Sequence, residues 1–414
     1  MTDQQQEISG PAILFARQPI FDRNLSVAAY ELLFRSENNE HMAPNNLDGD
    51  LATNEVMLNA FIESTIQEVC DGKPAFINMT RQRLCEPIPF APDHVVLELL
   101  ETIEWDSSLG PVLDQLAQMG YRLALDDFVI GNLDSPLVHY ADIIKLEYPA
   151  CPADKLSGVV HQLKQRRVQV LAEKLETQED LRRCMDAGCD LFQGYFLARP
   201  EVVRGRKMPN NRLSVLRLLT AVNKPQMELQ EIMQLIRQDS FFSIRLLRVV
   251  NSAALRRSAE ITSINTAVML LGLNRIRALI SMLALAKLED KPHALQMLAL
   301  TRARFAELIA QRMGIRDKDA AFTTGLFSCI DAFFDTPMAE VLELIPLHES
   351  LRKALLEKGG PLGLILDTVL SYERGKWADL QLSLLKRSGV AATDLAVDYR
   401  DSIQWAEEVE SSSE

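Results

Sequence analysis

The chain has 414 residues, of which 47% are hydrophobic and 24% are charged, and its formal net charge is −13 at pH 7. This length suggests two or three domains, and the composition is that of a globular protein with ample material for a core. The negative charge argues against a general nucleic-acid-coating protein and a binder of anionic membranes. It does not exclude a small anionic ligand held through metal ions.

Cysteine usage and the N-terminal pattern indicate a reducing compartment. The six cysteines include no Cys-x-x-Cys pair, so neither a zinc ribbon nor a thioredoxin-type motif is indicated. Residues 1–11 form a polar segment without the layout of a signal peptide. No run reaches the roughly 18 apolar residues of a membrane span. We therefore expect a cytoplasmic protein that binds neither membranes nor nucleic acid.

Residues 12–203 alternate between strand-like and helix-like patterns. One helix-like stretch begins with Thr177 and Asp180 in the arrangement of an N-terminal box and stops at Gly188. Strand–helix repeats of this spacing predict parallel strands joined by crossover helices, and a count near eight predicts a (β/α)₈-like barrel. The strand-like runs are 13–20, 27–35, 74–79, 94–101, 122–128, 142–147, 168–176 and 189–197.

Most of these runs end on acidic, amide or lysine side chains, which buried strands do not need. In a barrel the C-terminal ends of the strands meet at one rim, where barrel enzymes carry their chemistry. Carboxylates packed this closely repel one another unless cations lie between them. The joint pattern therefore predicts a metal site, although any one of these residues alone is better explained as a solvated loop end or a salt-bridge partner. The residues are Glu31, Asn78, Glu98, Asp126, Asp127, Lys145, Glu173, Glu176 and Gln193.

The residue types favour one kind of metal chemistry. Carboxylate and amide oxygens suit Mg²⁺ or Mn²⁺ better than zinc, and two such ions activate a water for phosphoryl displacement. We expect Glu173 to be the general base, Lys145 to place positive charge near the water or phosphate, and Arg35 to grip a phosphate. The predicted metal ligands are Glu31, Asn78, Glu98, Asp126 and Asp127.

Taken in order, these residues resemble the motifs of the EAL domain, the cyclic di-GMP phosphodiesterase family. Its Glu-x-Leu-x-Arg signature is matched at 31–35 and its Asp-Asp-Phe motif at 126–128, and the resemblance covers about 12–200. It implies hydrolysis of cyclic di-GMP to the linear dinucleotide with Mg²⁺ or Mn²⁺, and with two ions bound. It also implies that Glu101 anchors the loop after the Asp pair. The matching positions that we assign to substrate binding are Arg35, Glu176 and Gln193.

The chain departs from the family's pattern in places that hold substrate. Residues 129–136 read VIGNLDSP, where the family's loop is usually rich in glycine and small hydroxyl residues. Ser36 replaces an aromatic residue that often follows the signature Arg, and 36–55 lacks the family's Phe-Ile-Pro stretch. In the family that loop couples dimerisation to substrate and metal, so a homodimer is compatible with the resemblance. An alternative function therefore stays open: a non-catalytic receptor for cyclic di-GMP, or an interaction scaffold.

Helical periodicity dominates after a polar linker at 201–212. It predicts an all-α domain over 204–395, followed by an acidic tail at 396–414 that we expect to be frayed. The runs at 235–255 and 263–285 resemble the HD-related output domain, HDOD.

A second hydrolytic centre is not expected in this half of the chain. Hydrolases of the HD type bind metal through paired His and Asp residues. In this chain Ser328 and Cys329 occupy the positions where such a His is expected. The resemblance instead implies a signalling or interaction module with an unidentified protein partner. The expected architecture is thus an EAL barrel followed by a C-terminal all-α HDOD domain.

Overall fold

The chain folds into a closed barrel followed by a helical domain. A computed structural model describes residues 13–36, 63–126, 128, 133–198, 210–224, 227–238, 240–251, 261, 263–288 and 291–411. The barrel has eight strands in chain order, with the last hydrogen-bonded back to the first, and this confirms the predicted fold. The strands are β1 Ile13–Phe21, β2 Val27–Ser36, β3 Ala75–Met79, β4 Val95–Leu99, β5 Arg122–Leu125, β6 Ile143–Glu147, β7 Gln169–Leu175 and β8 Leu191–Gly194.

The first strand departs from the predicted parallel arrangement. β1 runs antiparallel to both of its neighbours, β2 and β8, while the other neighbouring pairs are parallel. A tight turn joins β1 to β2, in which the side chain of Asp22 accepts hydrogen bonds from the backbone N–H groups of Asn24 and Ser26. Such a short connection cannot carry a chain back for a parallel strand. The prediction of parallel strands was therefore wrong for β1.

Helices lie between the remaining strands. The last of them starts with the predicted capping box, in which Thr177 and Asp180 each accept a hydrogen bond from the other's backbone N–H. It ends at Gly188, whose φ of 97° is in the left-handed region. The helices are α1 Glu63–Val69, α2 Arg81–Leu84, α3 Leu109–Gln118, α4 Leu137–Tyr140, α5 Ala153–Gln165 and α6 Gln178–Ala187.

From residue 210 onward the described chain is helical, as predicted. No single helix among the described residues has the length and apolar character needed to cross a membrane; two neighbours, α10 and α11, meet that test only together and are bent by 118°. The helices are α7 Asn210–Val222, α8 Leu229–Gln238, α9 Ser240–Asn251, α10 Ile264–Leu271, α11 Leu273–Ala286, α12 His293–Arg312, α13 Lys318–Phe327, α14 Ile330–Phe334, α15 Met338–Leu344, α16 Glu349–Glu357, α17 Gly360–Glu373, α18 Leu382–Arg387 and α19 Ala392–Ser411.

The C-terminal segment is a packed helix rather than the expected acidic tail. Residues 396–411 belong to α19, which buries Tyr399, Ile403 and Trp405. Its acidic residues are partly ion-paired, since the guanidinium of Arg312 binds both oxygens of Asp398 at 2.6 and 2.8 Å. The expectation of fraying rested on charge alone and overlooked the apolar residues that recur on one face of the helix.

One hydrophobic cluster spans the barrel and part of the helical domain, while a second lies within the helical domain and a third inside the barrel. Phe15 of β1 contacts Tyr399 of α19 with ring centroids 5.8 Å apart, and Tyr399 in turn contacts Phe305 and Tyr372 at 5.4 and 5.0 Å. All four side chains are buried within a single apolar cluster that spans both domains. The outer face of β1 is therefore covered by helices from the C-terminal half of the chain.

Candidate metal and phosphodiester site

The strands place the site residues by simple alternation. A layer of apolar side chains fills the inside of the barrel, and on β2 to β8 each is followed two residues later by a polar side chain on the same face. Ala29 precedes Glu31 in this way, and Val96 precedes Glu98. The same spacing relates Phe76 to Asn78, Ala124 to Asp126, Ile143 to Lys145, Leu171 to Glu173 and Leu191 to Gln193. One apolar layer thus closes the barrel directly beneath a polar layer at its rim.

Lys145 lies at the centre of the polar layer. Its Nζ is 2.7 Å from Glu98, 2.8 Å from Glu173, 2.9 Å from Asp126 and 3.3 Å from Glu31. The lysine side chain is 1% exposed and Glu98 is fully buried. Four carboxylates therefore face a single described cation in a nearly water-free site, where charge interactions are strong.

Burial and the neighbouring charges shift the pKa values of these groups. Burial raises the pKa of Glu98 well above its usual range against the opposing effect of Lys145, and it raises the pKa of Glu173 to about 7. Burial alone would lower the pKa of Lys145, but the surrounding carboxylates raise it well above its ordinary value. Lys145 thus stays charged, while the metal-free cluster relieves its excess negative charge by taking up protons.

Within the described part of the chain, two buried oxygens in this layer accept no hydrogen bond. They are Oδ1 of Asn78 and Oε2 of Glu98, whereas Oε1 of Glu98 is ion-paired with Lys145 at 2.7 Å. Asn78 and Glu98 are directly opposite each other in the β3–β4 register. Unpartnered buried oxygens are costly unless a cation or water completes them.

A divalent cation fits this donor set. The available donors are carboxylate and amide oxygens, which Mg²⁺ and Mn²⁺ prefer. Among the residues described, no group of three acidic, His or Cys side chains is already arranged to hold a metal ion. The carboxylates point instead at Lys145, and Asp127, a predicted ligand, lies outside the described residues. To bind a metal ion, these carboxylates would therefore have to coordinate the ion as well as pair with Lys145.

Gln193 supports Glu31 from β8, across the intervening strand β1. Its Nε2 donates to Oε2 of Glu31 at 2.5 Å and to Oε1 of Gln18 at 3.2 Å. Gln18 is directly opposite Glu31 in the β1–β2 register. An amide nitrogen that donates to two acceptors in this way helps to fix the orientation of the carboxylate to which it donates.

The backbone near Glu173 is irregular where β7 meets β8. The pairing register shifts between Ala172 and Leu175, and Lys174 has a positive φ of 56°. Such bulges recur next to active sites, where they re-aim a side chain. Gly194 permits the close approach, because a Cβ atom there would clash with the carbonyl oxygen of Leu175. The irregular backbone explains why a glycine follows Gln193.

Some predicted site residues are not part of this cluster in the structure. Glu101 and Glu176 follow β4 and β7 at exposed positions. The side chain of Arg35, at the end of β2, lies outside the description, as does loop 129–132. Glu31, Asn78, Glu98, Asp126, Lys145, Glu173 and Gln193 are brought together at the rim.

Sequence reasoning missed Gln18. The signal was present, since Arg17 and Gln18 interrupt an otherwise apolar strand. The sequence pattern predicts this strand as one more parallel member of the barrel. That arrangement does not place its side chains opposite Glu31. Only the antiparallel β1–β2 pairing shows that Gln18 faces the site.

Comparisons with known proteins agree with this architecture. The family model for the EAL domain matches residues 1–200, and the model for the HDOD domain matches residues 208–343. Cyclic di-GMP phosphodiesterase CdgJ of Vibrio cholerae is 30% identical over 402 residues, which cover 95% of this chain and 92% of that protein. Uncharacterized protein YuxH of Bacillus subtilis is 32% identical over 377 residues, which cover 88% of this chain and 91% of that protein.

Similarity to solved structures is confined to part of the chain. A complex of Klebsiella pneumoniae BlrP1 with manganese and cyclic di-GMP is 23% identical and has a TM-score of 0.37. The match covers 46% of this chain and 56% of that one. The assignment therefore rests on the two family models and on the relatives that match nearly end to end. The chain belongs to the family of proteins in which an EAL domain is followed by an HDOD domain.

Proposed function

We propose that this protein is a cyclic di-GMP phosphodiesterase that hydrolyses its substrate to the linear dinucleotide with two Mg²⁺ or Mn²⁺ ions. The observation that carries the proposal is the convergence of four carboxylates on Lys145 at the rim of a closed barrel. A relative named as a cyclic di-GMP phosphodiesterase supports it, because it matches 95% of the chain.

The metal ligands of this proposal are the oxygen donors of the polar layer. Glu31, Asn78, Glu98 and Asp126 would hold the ions together with Asp127. Bound divalent ions supply a water of lowered pKa and offset the negative charge on the attacking and leaving oxygens. Among the described residues, Oδ1 of Asn78 and Oε2 of Glu98 accept no hydrogen bond, which supports this assignment.

Glu173 has the properties of the general base. Because burial raises its pKa to about 7, its carboxylate is able to take a proton from water near neutral pH. In the reaction that we propose, that water's oxygen bonds to a phosphorus atom of the ring. One phosphorus–oxygen ester bond then breaks, and the released sugar oxygen gains a proton.

Lys145 and Gln193 hold the base and one metal ligand in place. The ammonium group of Lys145 lies 2.8 Å from Glu173, so it orients that carboxylate and offsets negative charge developing on the phosphate. Gln193 holds the Glu31 carboxylate by donating a hydrogen bond to it. Substrate binding by Arg35, Glu176 and Gln193, and loop anchoring by Glu101, remain parts of the proposal that rest on the resemblance.

Hydrolysis by variants tests the assignment of Glu31. We expect the full-length protein to form linear dinucleotide with Mn²⁺ or Mg²⁺, and Glu31→Ala to lower kcat/KM by at least about a hundredfold, because metal charge stabilisation is worth several kcal/mol. Glu68→Ala changes an exposed glutamate of α1 and should keep the parent rate. Equal rates for Glu31→Ala and Glu68→Ala would refute the assignment.

A second candidate function is a receptor that binds cyclic di-GMP without hydrolysing it. It is favoured by the position of Lys145, which is already paired with the carboxylates that would bind metal, and by the altered sequence of 129–136. Calorimetry separates the two: tight binding of cyclic di-GMP with an unchanged ligand after prolonged incubation supports the receptor. In either case we propose that the helical domain is the output module and contacts a protein partner.

A further inference from the structure

A hydrogen-bonded chain leads from the proposed metal ligand Glu31 to the helical domain. Gln193 donates to Glu31 at 2.5 Å and to Oε1 of Gln18 at 3.2 Å. The Nε2 atom of Gln18 donates to the hydroxyl of Tyr195 at 3.1 Å and lies 3.5 Å from the carbonyl oxygen of Arg374. Arg374 directly follows α17, so the chain ends on the backbone of the other domain.

The chain has a fixed direction. Gln18 uses its amide oxygen towards Gln193 and its amide nitrogen towards the helical domain. Reversing the Gln18 amide would place its nitrogen against the nitrogen of Gln193 and its oxygen against the carbonyl oxygen of Arg374, although the hydroxyl of Tyr195 can donate to either atom. Reversing the Gln193 amide would place an oxygen against the carboxylate of Glu31. Gln18 therefore adds to Glu31 in fixing the orientation of the Gln193 amide.

The turn after α17 is held firmly on both sides. Within the helical domain, Arg302 binds both carboxylate oxygens of Glu373 at 2.6 and 2.7 Å. Towards the barrel, the guanidinium of Arg374 lies over the ring of Tyr195 at 4.8 Å. This bidentate ion pair fixes the turn relative to the helical domain, so a movement of the domain also moves the turn.

Gly375 brings the same turn against the strand that carries Glu31. A Cβ atom at Gly375 would lie 2.8 Å from Cδ1 of Leu33, two residues after Glu31, and the backbone there has φ +63°. The helical domain thus touches β2 directly as well as through Gln18. A displacement of this turn would therefore act on Glu31 in two ways. One is the packing of Gly375 against Leu33, and the other is the hydrogen bonding through Gln18.

The chain lines an open space rather than the shared core. A cavity of about 920 Å³ lies between the barrel and the helical domain, and Gln18, Gln193 and Tyr195 form part of its barrel wall. Thr301 and Glu373 form part of the opposite wall. The wall at this point therefore borders open space and is less tightly packed than the aromatic core nearby.

We propose that Gln18 is a positioning residue of the metal site and that it makes the placement of Glu31 depend on the helical domain. The proposal rests on the proposed function in taking Glu31 as a metal ligand. Under this proposal the helical domain is connected to the site through the carbonyl oxygen of Arg374, which lies 3.5 Å from the amide nitrogen of Gln18. Because coupling is reciprocal, metal binding at the rim also favours the docked position of the turn after α17.

Calorimetric titration of the full-length protein with Mn²⁺ alone tests the role of Gln18. Gln18→Met keeps the length of the side chain and removes both ends of its amide. We expect it to weaken Mn²⁺ binding about fivefold, less than the roughly 10–100-fold typical of removing a direct partner of a metal ligand, because Gln18 acts on Glu31 through Gln193. The matched control is Gln67→Met, which removes another half-buried glutamine, bonded to His94 at the far end of the barrel, and should stay within about twofold of the parent.

A double-mutant cycle with Gly375→Ala tests the connection to the helical domain. The added methyl group meets the flexible end of Leu33, so the variant should fold with a displaced turn and bind Mn²⁺ several-fold more weakly. If the effect passes through Gln18, Gly375→Ala should have little further effect in the Gln18→Met background. The same factor in both backgrounds would show that the turn acts without Gln18 and would overturn the connection.

The outcomes separate this inference from the proposed function. If the parent protein does not bind Mn²⁺, the metal site itself is refuted. If the parent binds Mn²⁺ and folded Gln18→Met binds it equally well, the positioning role is refuted while the metal site stands. If Gln18→Met does not fold, Gly375→Ala alone decides, because unchanged Mn²⁺ affinity in that folded variant would contradict the inference.

Discussion

At the scale of single residues, Lys145 determines the state of the site without metal. Its ammonium group contacts four carboxylates within 3.3 Å and is nearly inaccessible to water. Removing one partner of a buried ion pair leaves the remaining charges uncompensated. The lysine is thus as important for the stability of the metal-free protein as it is for the proposed chemistry.

Lys145→Met should destabilise the metal-free protein by about 3 kcal/mol, since breaking a buried pair leaves unpaired carboxylates. Urea unfolding in EDTA measures this loss, and added Mn²⁺ should recover part of it by replacing the missing positive charge. Lys155→Met removes an exposed lysine and should change stability by less than about 0.5 kcal/mol. A Lys145→Met protein as stable as the Lys155→Met control would contradict the structural role of the lysine.

The raised pKa of Glu173 predicts how stability depends on pH. Its folded, metal-free pKa is about 7, above the value of 4.5 for a free glutamate. A raised pKa contributes stability below the unfolded value, and that contribution is lost as the pH rises through the folded value. The metal-free protein should therefore lose stability between about pH 5 and pH 8, by at most about 3 kcal/mol from this group.

Thermal unfolding in EDTA across this pH range measures the effect. Glu173→Gln, which is neutral at every pH, should flatten the decline, whereas Glu68→Gln should leave it unchanged. Burial raises the pKa of Glu98 as well, so some slope should persist in Glu173→Gln. A slope that is the same in both variants would show that Glu173 does not titrate in this range.

The sequence predicted most of the inward-facing site residues because strand alternation is strict. Glu31, Glu98 and Glu173 each follow an apolar interior residue at a spacing of two, which is visible without a structure. Gln18 was not predicted, because its role depends on the antiparallel pairing of β1. The position of Lys145 at the centre of the carboxylates also required the three-dimensional arrangement.

At the scale of elements, local signals were sufficient where the chain makes its own contacts. The capping box of α6 is one such case, since Thr177 and Asp180 are three residues apart and each accepts a hydrogen bond from the other's backbone N–H. The direction of β1 is the opposite case. The sequence of 22–26 does not by itself predict a tight turn. The antiparallel pairing of β1 with β8 joins residues that are far apart in the sequence.

Thr177→Ala should lower the free energy of unfolding by about 1 kcal/mol, because the first turn of α6 loses its side-chain acceptor. Thr177→Ser keeps that hydroxyl and should lose much less. Urea unfolding of both variants gives the comparison. Equal destabilisation by the two substitutions would mean that the methyl group of Thr177, and not its hydroxyl, stabilises the helix start.

At the scale of the whole molecule, the two domains form a single packed body. Phe15 of the barrel and Tyr399 of α19 belong to the same buried cluster, although 384 residues separate them (399 minus 15). The sequence predicted two domains of the correct type, because the change from alternating to helical patterns near residue 200 is clear. It did not predict their shared core, because the many acidic residues of 396–414 drew attention away from the apolar residues on one face of α19.

Tyr399→Ala should lower the unfolding free energy by about 3–5 kcal/mol, the usual cost of deleting a buried aromatic side chain. Calorimetry should show one transition at a lower temperature, because the barrel and the helical domain unfold together. Tyr140→Ala removes a half-buried tyrosine that stacks on Trp105 and should cost less. Two separate transitions in the parent protein would contradict a shared core.

A single-turnover assay tests the central claim most directly. Full-length protein, stripped of metal with EDTA and held in excess over cyclic di-GMP, is supplied with Mn²⁺, and the nucleotide is separated over time. Excess protein removes any limit set by weak binding or slow product release. The account predicts linear dinucleotide only when metal is present, and formation at least about a hundredfold slower from Glu31→Ala. Intact cyclic di-GMP after prolonged incubation with folded, metal-loaded parent protein would contradict it.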